Sequence, residues 1–474
     1  MRDTVTILGA GESGEGAAKL CHSLGMPCRV SDSGVVSAER KSSLASLGVD
    51  VEEGGHDRGL IEAANLVVKS PGIPADAAPV RWAREAGVEV IGELEFASRH
   101  THARIAAVTG TNGKTTTTAL LHHLLRTGGM DAGCAGNIGT SFAGAVAEAQ
   151  GRPEGDHAIW VVEASSFQLE DTTDFSPHVA ILLNITPDHL DRYADDIDRY
   201  ANAKWRITAH QTKEDVLVIN AEDDLSMERW KSSAKNHGTQ ARVVAVSTRK
   251  NLNALRKSLH KQGLHPWAVA GVDQSKRPER FTIHIPQQKP FTMTIQELAL
   301  QGKHNLYNSM AASVAARVLD LRSEGIRESL SQFDAIEHRM EFVKEVNQIK
   351  FINDSKATNV NSAWFALESM RGPVIWIAGG VDKGNDYSSL LHLVSSKVDH
   401  LICLGKNNET LLSTFGDRVE TTNEVEDANA AVQLAYDLGM PGHSVLLSPA
   451  CASFDLFGSY EERGHAFKAA VRGL

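Results

Sequence analysis

Lys114 and Thr115 stand near the end of the string Thr109-Gly110-Thr111-Asn112-Gly113-Lys114-Thr115-Thr116, in which glycines, hydroxyls and one lysine stand at the spacing of a phosphate cradle. Gly110 and Gly113 let the backbone curl so that amide N–H groups converge on an anion. A helix opening at this point adds its partial positive charge. Lys114 can then reach terminal phosphates, and the Thr115 hydroxyl can ligate a Mg²⁺ that bridges them. Val108 occupies the position where the full Walker pattern has its first glycine, so the match to an ordinary P-loop is partial. A glycine turn followed by an incidental lysine is the purely structural alternative.

Other residues with chemical potential stand at the ends of apolar runs. Glu163 follows Ala158 to Val162, and His189 lies in a polar cluster just past His178 to Asn184. A carboxylate at a strand end beside a phosphate loop is placed to hold Mg²⁺ directly or through water, while a helix N-terminal acid is the duller reading of Glu163. Asn137 sits in the glycine loop Gly136-Asn137-Ile138-Gly139-Thr140. Asn305 and Asn308, three apart, share one face of a helix and could read a purine edge, although capping also accounts for Asn305. At the N-terminus, Gly9-Ala10-Gly11-Glu12-Ser13-Gly14 follows a strand, and Asp32 closes the next one. This is the GxGxxG fingerprint with its acid, open to a nicotinamide or flavin enzyme, to another nucleotide diphosphate, or to a tight structural turn.

The elements that must position these residues are those of an α/β protein. Thr4 to Leu8, Cys28 to Ser31, Leu66 to Lys69 and Val88 to Ile91 alternate with helical stretches, the third strand ending in Ser70-Pro71-Gly72. Arg104 to Val108 feeds the phosphate loop, and Thr116 to Arg126 is the helix after it. Tyr193 to His210 reads as one amphipathic helix containing Lys204, a residue that composition does not single out. Val216 to Ile219, Val243 to Val246 and Phe281 to Ile285 are strands, and an Ala-rich helix runs from Gly302 to Leu321. The last third offers a hairpin, Phe342 to Val346 with Ile349 to Ile352, then strands at Val374 to Ala378, His400 to Leu404 and Val445 to Leu447. Three domains are expected, 1–101, 102–321 and 322–474: a Rossmann-like N-terminal domain, a central P-loop-type ATPase domain and a Rossmann-like C-terminal domain.

The bulk numbers narrow the partners. A length of 474 residues suits about three cores. A net charge of −11 argues against nucleic acid or an anionic membrane as a general partner. The five cysteines are scattered and contain no CxxC pair, and the first residues lead directly into a strand without a signal-like core. A cytoplasmic, monomeric protein is expected.

Taken in order and spacing, GAGESG, SPGI, TGTNGKTT, GNIGT, EASSFQLE, NITPDHLDRY, GKHNLYN, EHRMEFV, NDSKATN and SPACASFD resemble the Mur ligases over almost the whole chain. The resemblance implies an amide ligase. It would consume ATP and join D-glutamate to UDP-N-acetylmuramoyl-L-alanine through an acyl phosphate, with two Mg²⁺ sites. It implies further that Lys114, Glu163, His189 and Lys204 are catalytic, Lys204 as a carbamate, and that Thr115, Glu163, His189 and Lys204 surround the metal. Gly110, Thr111, Asn112, Gly113, Lys114, Thr115, Thr116, Asn137, Asn305, Asn308, His338, Arg339 and Asp354 fall around ATP. Glu12, Ser13, Asp32, Ser33, Ser70 and Asn137 fall on the UDP side. The amino-acid side takes Lys356, Thr358, Lys383, Ser453 and Tyr460, where cations suit a dicarboxylic substrate. Glu12 brings an acid into a diphosphate loop, so its side chain is expected to turn away. Another amide ligase of the superfamily, a nicotinamide dehydrogenase and a non-catalytic nucleotide sensor remain the competing readings.

Overall fold

The computed structural model describes residues 4–474 except 138–139, 189, 236–237, 301, 334–336, 371 and 383–384, and the side chains of 191, 361, 365 and 369. The chain forms two compact units, residues 1–301 with 305–333, and residues 302–304 with 334–474.

The first unit holds two sheets. One is fully parallel, built from β1 (Val5–Leu8), β2 (Cys28–Asp32), β3 (Asp50–Glu53), β4 (Leu66–Lys69) and β5 (Glu89–Gly92) in the order β3-β2-β1-β4-β5. The order reverses at β1 and β4, which opens a crevice beyond their carboxyl ends. The other has nine strands: β6 (Arg104–Thr109), β7 (Ala132–Gly136), β8 (Ile159–Glu163), β9 (Val179–Leu182), β10 (Val216–Asn220), β11 (Arg242–Ser247), β12 (Ala268–Asp273), β13 (Arg280–His284) and β14 (Phe291–Thr294). Their order is β14-β13-β12-β11-β10-β9-β6-β8-β7, parallel except for the β12-β13-β14 meander at one edge. Since β6 lies between β8 and β9, the phosphate loop, Glu163 and the segment after Leu182 leave three adjacent strands at the same end.

The two sheets share a continuous core that runs from Val5 and Ile7 through Phe142 and Trp160 to Tyr200 and Leu217. Helix Glu12–Ser23 packs on helix Phe142–Gln150 so closely that a Cβ on Gly16 would fall 1.9 Å from Ser141 Oγ. Lys69 and Asp171 form a buried ion pair of 2.6 Å.

The second unit has one sheet, β15 (Glu341–Val346), β16 (Ile349–Asn353), β17 (Val374–Ala378), β18 (Val398–Leu404), β19 (Thr421–Val425) and β20 (Ser444–Leu447), ordered β15-β16-β20-β17-β18-β19. Only β15 runs antiparallel, through the expected hairpin with β16. Buried clusters around Trp376 and around Phe351 cover the two faces of this sheet.

The structure departs from the sequence expectations in local ways. Helix Glu12–Ser23 begins inside the fingerprint, so Glu12 and Ser13 belong to its first turn. The expected single helix over Tyr193–His210 is broken: a 3₁₀ turn ends at Tyr193, Ala194 and Asp195 have φ of 55° and 56°, and helix Ile197–Trp205 starts on the Asp196 side chain. Asp196 accepts from the N–H groups of Asp198 and Arg199, satisfying donors that a continuous helix would have bonded internally. β3, β7, β12, β14 and β19 are not among the strands expected from the sequence.

Candidate active site

The phosphate loop is held from below by side chains of the neighbouring strand end. Asn184 Oδ1 accepts from Asn112 N–H at 2.9 Å, and Asn184 Nδ2 donates to Asn112 O at 3.0 Å. Thr111 Oγ1 donates to Thr186 O and accepts from Thr186 N–H, each at 3.0 Å. Gly113, at φ +85°, is the left-handed residue on which helix Lys114–Thr127 opens, and a Cβ there would lie 2.6 Å from Asn308 Oδ1. Asn308 is buried beside Asn305, whose Oδ1 accepts from Asn308 Nδ2 at 3.5 Å. The loop is thus preformed, and Gly110, Thr111, Asn112, Gly113, Lys114, Thr115, Thr116, Asn305 and Asn308 belong to one neighbourhood.

Two lysines meet at this loop. Lys114 Nζ donates to Gly110 O at 2.9 Å and to Thr111 O at 2.8 Å, while Lys204 Nζ donates to the same Gly110 O at 2.9 Å. Lys204 is 1% exposed, and its Nζ stands 4.4 Å from the Tyr200 ring centroid. Burial, then the neighbouring Lys114 charge, holds the Lys204 pKa well below the ordinary lysine range, against the opposing pull of Asp188 and Glu163. Glu163 ends β8 in a buried position and accepts from Asn137 Nδ2 at 3.1 Å through Oε1. Glu163 and Thr115 offer oxygen donors beside the phosphate loop, the ligand type that suits Mg²⁺. His189, named with them from the sequence, lies outside the described residues.

At the β1/β4 switch point the glycines divide their work. Gly9 has φ +92°, and a Cβ there would approach Ser70 Oγ to 2.8 Å; a Cβ on Gly14 would strike Gly9 O at 1.8 Å. A Cβ on Gly11 would meet nothing within 4 Å. Ser70 Oγ is buried without a hydrogen-bond partner among the described residues. Asp32 accepts from Ala10 N–H at 2.7 Å and from Gly34 N–H at 2.8 Å, bonds that hold its carboxyl below the usual range and brace the glycine loop. Glu12 is turned away, accepting from Ser141 N–H at 3.4 Å, while Ser33 is exposed. An open glycine, an orphaned hydroxyl and a helix N-terminus together fit a diphosphate.

In the second unit, polar residues gather at the carboxyl ends of β16 and β20. His338 is buried at φ +64°; its N–H donates to Glu341 Oε2 at 2.9 Å, and its Nδ1 accepts from Asn353 Nδ2 at 2.8 Å. Asp354 accepts from Ser448 Oγ at 2.8 Å and from Met340 N–H at 3.2 Å; burial pushes its pKa up to about 7, with the Arg339 charge opposing. Lys356 Nζ stands 5.1 Å from the Tyr460 ring centroid, and Thr358 follows on the same loop, exposed. Ser453 is buried, its carbonyl accepting from Phe457 N–H. Lys383 lies outside the described residues.

Sequence reasoning passed over Asn184, although it lies in the quoted NITPDHLDRY string, and over Arg463. The signal for Arg463 was its helical spacing with Phe467 and Val471, which puts an arginine on a buried stripe.

Comparison with known proteins matches three family profiles: "Mur ligase MurD-like, N-terminal domain" over residues 3–92, "Mur ligase middle domain" over 108–316 and "Mur ligase, glutamate ligase domain" over 338–451. A curated protein of Christiangramia forsetii called UDP-N-acetylmuramoylalanine--D-glutamate ligase is 44% identical over 474 residues, 100% of both chains. Its namesake from Bacteroides fragilis is 44% identical over 99% of both chains. Among solved structures, MurF of Acinetobacter baumannii matches with TM-score 0.59 and 18% identity, covering 94% of this chain and 91% of that one. UDP-N-acetylmuramate-alanine ligase MurC of Thermotoga maritima matches with TM-score 0.57 and 18% identity over 99% of each. This chain belongs to the Mur ligase family.

Proposed function

We propose that this protein is an ATP-dependent amide ligase that adds D-glutamate to UDP-N-acetylmuramoyl-L-alanine in peptidoglycan precursor synthesis, releasing ADP and phosphate. The observation that carries the reading is the 44% identity, over the full length of both chains, to proteins named for that activity. A carboxylate is a poor electrophile, because direct attack by an amine would have to expel oxide. Transfer of the γ-phosphoryl group of ATP to the alanine carboxylate, with ADP leaving, converts it to an acyl phosphate. The D-glutamate nitrogen then adds to the acyl carbon, phosphate departs, and the nitrogen loses its proton.

Both steps concentrate negative charge, so the chain's cationic and N–H groups do most of the work. In this reading the phosphate loop from Gly110 to Thr116 cradles ATP, and Lys114 exchanges its bonds to Gly110 O and Thr111 O for phosphate oxygens. Asn137, Asn305, Asn308, His338, Arg339 and Asp354 are assigned to nucleotide contacts. Thr115, Glu163, His189 and a carbamate on Lys204 would hold Mg²⁺ at two sites, where the metal would neutralise charge on the transferring group. Lys204 supports that assignment through its burial, which holds its pKa below the ordinary lysine range and so favours the uncharged amine, the form that adds CO₂, losing one proton and becoming an anion. Gly11, Glu12 N–H, Ser13, Asp32, Ser33 and Ser70 are assigned to the UDP side. Lys356, Thr358, Lys383, Ser453 and Tyr460 are assigned to D-glutamate.

The proposed functional division is 1–101 for the UDP substrate, 102–321 for ATP and 322–474 for the amino acid and closure over ATP. No helix among the described residues is long and apolar enough to cross a membrane; a monomer working in the cytoplasm, without nucleic acid or membrane partners, completes the proposal. The test is phosphate release from ATP with UDP-N-acetylmuramoyl-L-alanine and each of D-glutamate, L-glutamate, L-lysine and meso-diaminopimelate. Release that requires D-glutamate and the nucleotide together is expected. Release with a different amino acid would reassign the step, and no release with any pairing would overturn the reading.

A further inference from the structure

Helix Tyr460–Gly473 buries one arginine, Arg463, to 1% exposure. Its Nε donates to Ser355 Oγ at 3.0 Å and its Nη2 to Ser355 O at 2.9 Å. Nη2 and Nη1 each donate to Cys451 O at 3.3 Å, and Nη1 also to Gly379 O at 3.3 Å. The acceptors lie on three segments that each follow a parallel strand: Ser355 after β16, Gly379 after β17 and Cys451 after β20. Ser355 Oγ in turn donates to Tyr460 O at 2.8 Å, tying the first segment to the start of the same helix. The segments are in contact around the guanidinium, since a Cβ on Gly380 would fall 2.1 Å from Ala452 O and 3.3 Å from Arg463 Nη1.

Among the described residues Arg463 enters no direct ion pair; its hydrogen bonds go to a hydroxyl and to carbonyl dipoles, and the Asp455 carboxylate opposes its charge at longer range. Burial lowers its pKa to about 10, so it remains a cation at neutral pH. A buried charge without a directly bonded counter-ion is a costly way to fill a core position. What the planar fork achieves is geometric, because five donors in one plane can fix three loops at once. Two of those loops lead directly to residues assigned above to the amino acid: Lys356 and Thr358 follow Ser355, and Ser453 follows Cys451.

We propose that Arg463 is a positioning residue for the amino-acid substrate, fixing the loops that present its binding groups. The inference rests on the functional reading given above. It separates Arg463 from an ordinary core residue, whose loss would lower stability without singling out one substrate.

The test uses the full chain and initial rates of phosphate release, with each of the three substrates varied at saturating levels of the other two. Arg463→Lys retains the charge but loses the fork, and its KM for D-glutamate is expected to rise roughly tenfold or more. The KM values for ATP and the UDP substrate should stay within about twofold. Arg463→Met should raise the D-glutamate KM further. A folded Arg463→Lys protein with unchanged D-glutamate KM, or with all three KM values raised together, would overturn the inference. Should that variant not fold, Ser355→Ala, which removes only the hydroxyl acceptor, decides on the same criterion. Wild-type protein without D-glutamate-dependent turnover would instead refute the functional reading itself.

Discussion

Gly11 offers a direct test of the N-terminal nucleotide seat, because no contact within the protein requires glycine there. Its φ and ψ of −72° and −171° are extended backbone open to any residue, and a Cβ would meet nothing within 4 Å. Gly11→Ala should therefore cost little in the free protein. Alanine is a poorer helix N-cap than glycine by about 0.5–1 kcal/mol, a melting shift of about 2 °C in a unit of this size. With the nucleotide bound, the same methyl group stands where a phosphate oxygen would approach the amides at the start of helix Glu12–Ser23. Losing one charge-assisted hydrogen bond there costs about 1.5–3 kcal/mol, or roughly a 10- to 150-fold rise in KM for the UDP substrate. The assay is initial-rate phosphate release with the UDP substrate varied at saturating ATP and D-glutamate, beside a thermal melt. Gly14→Ala is the control with the opposite signature, since its Cβ would strike Gly9 O at 1.8 Å and the fold itself must give way. An unchanged KM in a normally folded Gly11→Ala protein would refute the placement of the diphosphate on this helix.

Lys204→Ala should lose ligation yet regain part of it with added short carboxylic acids, which can replace the proposed carbamate; wild-type rates without the additive would sink that role. Lys69→Met leaves Asp171 buried without its ion-pair partner, and urea unfolding should show a loss of about 3–5 kcal/mol; a change below about 0.5 kcal/mol would mean that Asp171 finds another way to neutralise. Glu93 is buried, accepts from Ala143 N–H at 2.5 Å, and is raised by burial from 4.5 to about 7. Between those values the folded state binds the extra proton, so the stability of the first unit should fall as pH rises through that window, by at most about 1.4 kcal/mol per pH unit. Glu93→Gln should flatten this slope and stabilise the unit at pH 8; an unchanged slope would refute the assignment to Glu93.

The glycine loops could be read from sequence because their constraint is local. A positive φ at Gly113 and a close approach at Gly14 exclude other residues within a few positions of the chain, and hydrophobic runs ending in polar residues placed the central strands. Strands at or near the sheet edges were harder. β19 is Thr421-Thr422-Asn423-Glu424-Val425, and β14 follows a proline; an edge strand packs on fewer neighbours and carries a weaker apolar alternation. The Tyr193–His210 helix failed for a different reason. Its periodicity was real from Ile197 onward, but Asp196 offers the backbone a better-satisfied start, and the two residues before it take left-handed angles.

Lys204 and Arg463 mark the remaining limit, and for a common physical reason. Each is one lysine or arginine among 48 by composition, and its chemistry comes from burial against atoms distant in the chain. Gly110 O is 94 residues from Lys204, and Ser355 is 108 residues from Arg463. Local propensity carries no information about such pairs, but helical spacing carries some. Lys204 shares a buried helix face with Tyr200 and Ala201, as Arg463 does with Phe467 and Val471. A basic residue at a position that the period assigns to the core must be neutralised or fully hydrogen-bonded, since an unpaired buried charge is too costly to leave. Burial and the neighbouring Lys114 charge push Lys204 toward the first course, and Arg463 takes the second. In the proposed function the first course would give a reactive amine beside the phosphate loop, while the second gives a fixed frame for loops.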